Sequence, residues 1–106
     1  MSRRSDEYKL QVEVVKALRS RGILVFSIPN ERNAGIGDAL RMRASGLTKG
    51  VPDLMAWDSK RNAWWLELKT PTGVRSQEQI AFEQVAHAYG IGYKLVRSIK
   101  DVEDIK

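Results

Sequence analysis

Residues 50–70, which read GVPDLMAWDSKRNAWWLELKT, contain most of the information about the fold. Two runs rich in apolar and aromatic residues, 51–57 and 63–70, flank the polar stretch 58–62. Two such runs joined by a short polar turn predict a β-hairpin. Side chains alternate between the two faces of a strand, so we expect Trp65, Glu67 and Lys69 to share one face of the second run.

The N-terminal part of the chain predicts a helix followed by a strand. Residues 6–20 fit a helix with Ser5 as its N-cap. On a helical wheel, one apolar stripe is continued by two polar side chains, and Glu13 points the other way. The stripe and its polar continuation contain Leu10, Val14, Val15 and Leu18, then Glu7 and Gln11. Residues 23–28 form a β-prone run ended by Pro29, and the irregular stretch 30–50 contains a possible short helix at 38–44.

The C-terminal part predicts a second long helix, a fourth strand at 93–96 and a short helix from about Ile99. Ser76 caps the long helix, which runs to about Tyr89 and ends at the glycines of 90–92. Its wheel places His87 toward solvent and Gln79 at the border of a core side made of Phe82, Val85, Ala86 and Tyr89. The order αβββαβ indicates one α/β domain over 1–106, a mixed sheet flanked by helices.

Composition narrows the class of protein. The chain has 106 residues, of which 42% are hydrophobic, and carries a formal net charge of +5. A basic surplus favours a polyanionic partner, although a merely basic globular protein is an equal reading of charge alone. No apolar run reaches the ~20 residues of a membrane span, and the N-terminus lacks a secretory signal. With no cysteine and one histidine, a metal would be held by oxygen, which favours Mg²⁺ or Mn²⁺. The absence of cysteine also fits a cytoplasmic location.

Asp53, Glu67 and Lys69 are the residues on which we expect chemistry to depend. The hairpin can bring Asp53, which follows Pro52, beside Glu67. Two close carboxylates repel each other unless a divalent cation lies between them. Such a cation promotes phosphodiester hydrolysis, and a nearby amine can orient the attacking water or stabilise negative charge. From the Glu67–Lys69 pair alone, a plain ion pair on an exposed strand is the better reading. The preceding Gly-Val-Pro-Asp and the hairpin spacing favour the catalytic one.

These pieces together resemble the VRR-NUC family of the PD-(D/E)XK nuclease superfamily. The matching pieces are KGVPDL at 49–54, WLELKTPTG at 65–73 and SQEQ at 76–79, preceded by an acidic residue and a glutamine one turn apart. The resemblance runs from about Asp6 to Val96. It implies the restriction-endonuclease-like αβββαβ core that the periodicity also predicts.

The resemblance also implies roles for individual residues. Asp53, Glu67 and Lys69 would be catalytic, joined by Gln79, which would contact Lys69 or a phosphate. The metal would be held by Glu7, Asp53, Glu67 and the backbone carbonyl of Leu68. Gln11 and Ser76 would support the site, although a helix cap explains most of Ser76. Arg41, Arg43 and Lys49 would contact DNA, or form a solvated surface.

The function implied is a structure-selective DNA endonuclease dependent on Mg²⁺ or Mn²⁺, with no nucleotide cofactor. Resemblance to the small stand-alone members implies a homodimer that cuts branched DNA such as four-way (Holliday) junctions, in the cytosol of a bacterium or a virus-infected host. The alternatives are a non-catalytic DNA-binding module and a flap or sequence-specific endonuclease. The chain has little spare length for a base-reading element, which counts against sequence-specific cutting.

Overall fold

The computed structural model describes residues 3–29, 44, 46 and 48–106. Arg41, Arg43 and nearly all of the predicted helix 38–44 lie outside these residues. The elements follow in the order α1 (Arg3–Ser20), β1 (Leu24–Ser27), β2 (Leu54–Trp57), β3 (Ala63–Leu68), α2 (Gln77–Ala88), β4 (Gly92–Val96) and a 3₁₀ helix (Ile99–Val102). The αβββαβ order is confirmed.

The start of α1 differs from the sequence-based prediction. The helix begins at Arg3, so Ser5 lies inside its first turn and is not the N-cap. Arginine is a strong helix former, and nothing in Arg3 or Arg4 breaks the helical pattern. Asp6 lies in the first turn, where a negative charge interacts favourably with the helix dipole. The helix therefore extends further toward the N-terminus than its apolar stripe.

The four strands form one mixed sheet in the order β1-β2-β3-β4. β1 and β2 are antiparallel, as are β2 and β3, which form the predicted hairpin with Leu54 opposite Leu66. β3 and β4 are parallel, with Trp65 beside Tyr93. Parallel neighbours need a crossover connection, and α2 provides it.

The hydrophobic core lies between α1, the C-terminal 3₁₀ helix and one face of the sheet. Its members share almost complete burial: Val14, Leu18, Ile23, Val25, Leu54, Ala56, Leu66, Leu68, Val96, Val102 and Ile105. Leu66 and Leu68 alternate along β3 with Trp65 and Glu67. The side chain of Glu67 therefore points to the face of the sheet opposite α1.

α2 covers the β3–β4 half of that opposite face. The ring of Phe82 packs edge-to-face on Trp65, with the ring centroids 5.1 Å apart, and Ala86 is buried. The prediction that Val85 and Tyr89 face the core is wrong, because they are 50% and 78% exposed. The side of α2 that packs on the sheet contains Gln79, Phe82 and Ala86. This stripe is too narrow to include Val85 and Tyr89. His87 is exposed, as predicted.

The β1–β2 half of the same face is not covered by α2. Leu24 lies beside Trp57 and Phe26 beside Met55, so the four side chains form one contiguous surface, here called the apolar patch. Leu24, Phe26 and Trp57 are 60%, 42% and 43% exposed. Within the part of the chain that the structure describes, no helix is long and apolar enough to cross a membrane.

Gly50 lets the segment before β2 approach the first turn of α2. Its φ is +86°, and a Cβ atom built there would lie 2.5 Å from the backbone carbon and oxygen of Glu78. A side chain would meet rigid helix backbone and would also be strained by the left-handed conformation. Only glycine allows this contact, which fixes the segment leading to Asp53 against the helix that carries Gln79.

We expect Gly50→Ala to lower the free energy of unfolding by roughly 2–5 kcal/mol, from backbone strain plus overpacking. Gly22→Ala is the matched control, because Gly22 has φ +77° but a Cβ atom added to it would meet nothing within 4 Å. The control should lose only about 1–2 kcal/mol. Urea unfolding followed by tryptophan fluorescence measures both. Equal losses in the two variants would contradict the close contact.

Candidate active site

Glu67 is the centre of the candidate site. It lies near the end of β3 and is entirely buried, although it carries a carboxylate. The amine of Lys69, two residues further on the same face, lies 4.0 Å from Glu67 Oε2 and is itself nearly buried. Desolvation of an unpaired charge costs several kcal/mol. The pair is therefore no ion pair on an exposed strand, the plain alternative that the sequence left open.

Asp53 extends the β2–β3 pairing through its side chain. The Leu68 N–H donates to Asp53 Oδ2 at 2.8 Å, one step beyond the last backbone pair, Leu54 with Leu66. The carbonyl of Asp53 accepts from Ile28 N at 2.8 Å, which fixes its backbone to the strand on the other side. In an extended strand the N–H and C=O of one residue point to the same neighbour. The Leu68 carbonyl therefore faces the side on which Asp53 lies, beside Glu67.

Gln79 connects the N-terminus of α2 to Glu67. Its Nε2 donates to Glu67 Oε2 at 3.1 Å, and its Oε1 accepts from the backbone N–H of Ser76 at 2.8 Å. The Ser76 hydroxyl accepts from Gln79 N at 3.2 Å, which completes a capping box. Ser76 is thus the predicted helix cap. The partner of Gln79 is the acidic residue of the pair, whereas we expected Lys69 or a phosphate.

Lys49 lies on the surface beside the site. Its amine is 3.6 Å from Glu78 Oε1, and both side chains are largely exposed. The backbone N–H of Glu78 itself and then the charge of Lys49 lower the pKa of Glu78, so its carboxyl group stays ionised at neutral pH. An exposed pair of this kind contributes little stability. The amine of Lys49 can therefore leave the Glu78 carboxylate and bind a phosphate with little loss of stability.

Arg97 holds the segment that follows Lys69, and the sequence analysis missed it. Its Nη1 donates to the carbonyls of Thr70, Pro71 and Gly73 at 2.6, 3.2 and 2.9 Å. Gly73 lies close to the Lys69 side chain, since a Cβ atom built there would be 3.4 Å from Lys69 Cδ. The guanidinium group therefore folds this segment over the stem of the lysine. Backbone carbonyl acceptors have no sequence signature, so no motif could have indicated this role.

A second cluster missed by the sequence analysis lies between α2 and β4. Arg75 Nη1 contacts Glu83 Oε1 at 2.7 Å and the Tyr93 hydroxyl at 3.4 Å, and the guanidinium carbon lies 5.8 Å from the centre of the Tyr93 ring. The Glu83 carboxylate and then Tyr93 raise the pKa of Arg75, while burial raises the pKa of Tyr93. Both groups therefore stay protonated, and the cluster fastens α2 to β4.

Comparisons with known proteins bear on the fold. No protein-family model matches the sequence, and no curated protein matches it. A solved structure titled "VRR_NUC domain" superposes with a TM-score of 0.66 over 92% of this chain and 89% of its own, at 19% sequence identity. The chain has the VRR_NUC fold. The superposition supports the resemblance found in the sequence and confirms the mixed-sheet α/β architecture that it implied.

The acidic residues of this VRR_NUC fold do not form a three-ligand metal cluster within the described part of the chain. Among the described residues, no three Asp, Glu or His side chains lie close enough together to hold a metal ion. Glu7 and Gln11 are half-buried on α1, which packs on the face of the sheet opposite Glu67. The donors available beside Glu67 are the carboxylate of Asp53 and the Leu68 carbonyl. Magnesium is commonly held by one or two carboxylates, with water and substrate phosphate completing its coordination, so this donor set fits.

We expect Arg97→Ala to lower the free energy of unfolding by about 2 kcal/mol, because several charge-assisted hydrogen bonds to carbonyls are lost. Lys100→Ala is the matched control, since Lys100 is an exposed cation three residues further along the chain. It should change stability by less than about 0.5 kcal/mol. Thermal and urea unfolding measure the difference. Equal stability of the two variants would contradict the anchoring role of Arg97.

Proposed function

We propose that this chain is a metal-dependent DNA endonuclease that hydrolyses phosphodiester bonds. The observation that carries the proposal is a fully buried Glu67 in contact with Lys69 and Gln79. The next residue, Leu68, donates its backbone N–H to the carboxylate of Asp53. A structural protein gains nothing from a carboxylate in this position, because an apolar side chain would avoid the desolvation cost. The fold match to a structure titled "VRR_NUC domain" is consistent with a nuclease domain.

Oxygen donors indicate the cofactor. The carboxylates of Asp53 and Glu67 and the carbonyl of Leu68 would hold Mg²⁺ or Mn²⁺. Glu7, the remaining acidic residue of the predicted set, does not cluster with them among the described residues, so it is left out of this ligand set. These are hard oxygen ligands, which suit such ions rather than zinc or copper. The ion, when bound, supplies charge neutralisation at the phosphate and lowers the pKa of water. Gln11 lies one turn from Glu7 on α1, and its supporting role stays a prediction.

Lys69 is proposed to act on the attacking water. Its stem is covered by the segment that Arg97 holds, and its amine is kept near Glu67. An ammonium group fixed in this way can orient a water molecule or stabilise negative charge that develops on the phosphate. Glu67 keeps the amine in place, and Gln79 in turn contacts Glu67. The residues thus act as a connected group rather than singly.

DNA is the proposed substrate, and branched DNA such as a four-way junction is the preferred class. The net charge of +5 favours a polyanion. Lys49 is exposed beside the site, and Arg41 and Arg43, which lie outside the described residues, are also proposed to contact DNA. A cytoplasmic location is also proposed, in keeping with a chain that contains no cysteine.

The alternative from another class is a DNA-binding module without catalysis, which the net charge of +5 favours. It requires the charge surplus but not Asp53, Glu67 or Lys69. Flap or sequence-specific cutting is a variant of the proposed activity on other substrates. The choice between cleavage and binding is therefore decided by variants that change the site and leave the basic surface intact.

We expect Asp53→Ala and Lys69→Met to reduce cleavage on the order of 100-fold or more, because each removes a ligand or a polar group of the reaction. Labelled four-way junction, flap and linear duplex are incubated with Mg²⁺, Mn²⁺ or EDTA, and gel mobility shift measures binding. Glu13→Gln is the matched control, because Glu13 is an exposed carboxylate on α1.

The control should cleave like the unaltered protein, and both site variants should still bind DNA. Retained cleavage in folded site variants, or cleavage that survives EDTA, would defeat the enzyme proposal. Binding of DNA without cleavage by the unaltered protein with either metal would support the non-catalytic module. The substrate cut fastest identifies the preferred DNA structure.

A homodimer is proposed, since a two-fold pair presents two sites for symmetric cuts. The apolar patch on β1 and β2 offers a surface for this contact. None of its four side chains is charged, so two copies that each carry +5 can meet there with little repulsion. β1 is also an edge strand of the sheet that the described residues form. Exposed apolar surfaces of this kind commonly mark interfaces.

We expect Phe26→Glu to shift the protein from dimer to monomer, because each copy would bring a charge into an apolar interface. Val74→Glu is the matched control: Val74 is 80% exposed but lies outside the patch. Sedimentation equilibrium measures the mass of both variants at equal concentration. A monomeric unaltered protein would exclude the homodimer, and a dimeric Phe26→Glu variant would exclude this surface.

A further inference from the structure

The side chain of Gln79 makes two hydrogen bonds that require opposite ends of its amide. Its oxygen accepts from the backbone N–H of Ser76, and its nitrogen donates to the buried carboxylate of Glu67. Gln79 is itself 9% exposed, so both contacts lie away from bulk water. One amide therefore joins the cap of α2 to the acidic centre of the site.

The chemistry of the two partners fixes which end of the amide faces which partner. A backbone N–H can only donate, so the amide oxygen must face Ser76. An ionised carboxylate can only accept, so the amide nitrogen must face Glu67. A flipped amide would lose both bonds at once. The capping box thus does more than begin the helix, because it also directs the amide nitrogen of Gln79 at Glu67.

We propose that Gln79 is a positioning residue that sets the orientation of the Glu67 carboxylate, with the Ser76 cap fixing its amide. The inference rests on the proposed function and deepens it. Both the Gln79 nitrogen and the Lys69 amine approach the same oxygen, Oε2. These contacts hold the carboxylate in one rotational position relative to Asp53 and the Leu68 carbonyl.

The same geometry explains why glutamine stands at this position. Capping boxes use glutamate or glutamine equally well, because both offer an oxygen to the N-cap N–H. A glutamate at position 79 would satisfy Ser76 but would place a second carboxylate against Glu67, where like charges repel. The contact with Glu67, not the cap, selects glutamine.

The test compares three variants in cleavage assays with Mn²⁺. Gln79→Met removes the donor to Glu67 together with the capping oxygen, and Gln79→Glu keeps a capping oxygen but removes the donor. Gln84→Met is the matched control, because Gln84 is an exposed glutamine on the same helix. Circular dichroism verifies that each variant is folded.

We expect both Gln79 variants to lose kcat on the order of 10- to 100-fold, the usual effect of removing a group that orients a ligand. The Mn²⁺ concentration for half-maximal rate should rise, and KM for DNA should stay unchanged. Calorimetric titration with Mn²⁺ in the absence of DNA should show a matching loss of affinity in Gln79→Met. Gln84→Met should keep the kcat and Mn²⁺ dependence of the unaltered protein.

A Gln79→Met variant with unaltered kcat and Mn²⁺ dependence would overturn the proposal. Equal losses in Gln84→Met and the Gln79 variants would also overturn it, since the effect would then not depend on the contact with Glu67. A separate readout needs no activity: in the NMR spectrum of the unaltered protein, the Gln79 side-chain amide should exchange slowly with solvent and shift in Glu67→Gln. If that signal is present but no DNA is cut, the proposed function fails while the positioning contact stands. Rapid exchange of the Gln79 side-chain amide with solvent would contradict the contact between Gln79 and Glu67.

Discussion

The burial of the Glu67 carboxylate is the constraint on which the rest of the site depends. A charge removed from water needs several polar partners at close range, or the fold loses more stability than a small domain has. Lys69 and Gln79 are two such partners, and Gln79 comes from α2, a different element from the strand that carries Glu67. The position of α2 is therefore tied to the acidic centre, and the close contact of Gly50 with its first turn strengthens the tie.

Asp53 also places a carboxylate in a structural hydrogen bond, at the open end of the hairpin. One carboxylate oxygen accepts from the Leu68 amide and so extends the pairing of β2 with β3 beyond the last backbone pair. The same hydrogen bond holds the carboxylate of Asp53 beside β3, in the register position opposite Glu67. In the proposed mechanism, Asp53 therefore serves both the pairing of the sheet, through Oδ2, and the metal site.

Most of the fold could be predicted from the sequence, because its periodicities are local. The alternation in 63–70 predicted the strand that carries Glu67, and the flanking turn residues predicted the hairpin. The wheel of α2 failed at Val85 and Tyr89, since a wheel shows which side is apolar but not how wide a surface the sheet offers. The partner of Gln79 and the anchoring by Arg97 depend on contacts between separate elements. No local pattern contains that information.

The connectivity of the sheet also determines the order in which the acidic groups can leave water. Asp53 and Glu67 belong to a hairpin, which forms within microseconds because its ends are close in the chain. β4 pairs with β3 in parallel through the crossover that contains α2, and non-local pairing of this kind is slower. We therefore expect the hairpin to assemble while Glu67 is still hydrated, and its charge to leave water when Gln79 arrives. On this expectation, the acidic centre forms only when the tertiary structure is complete.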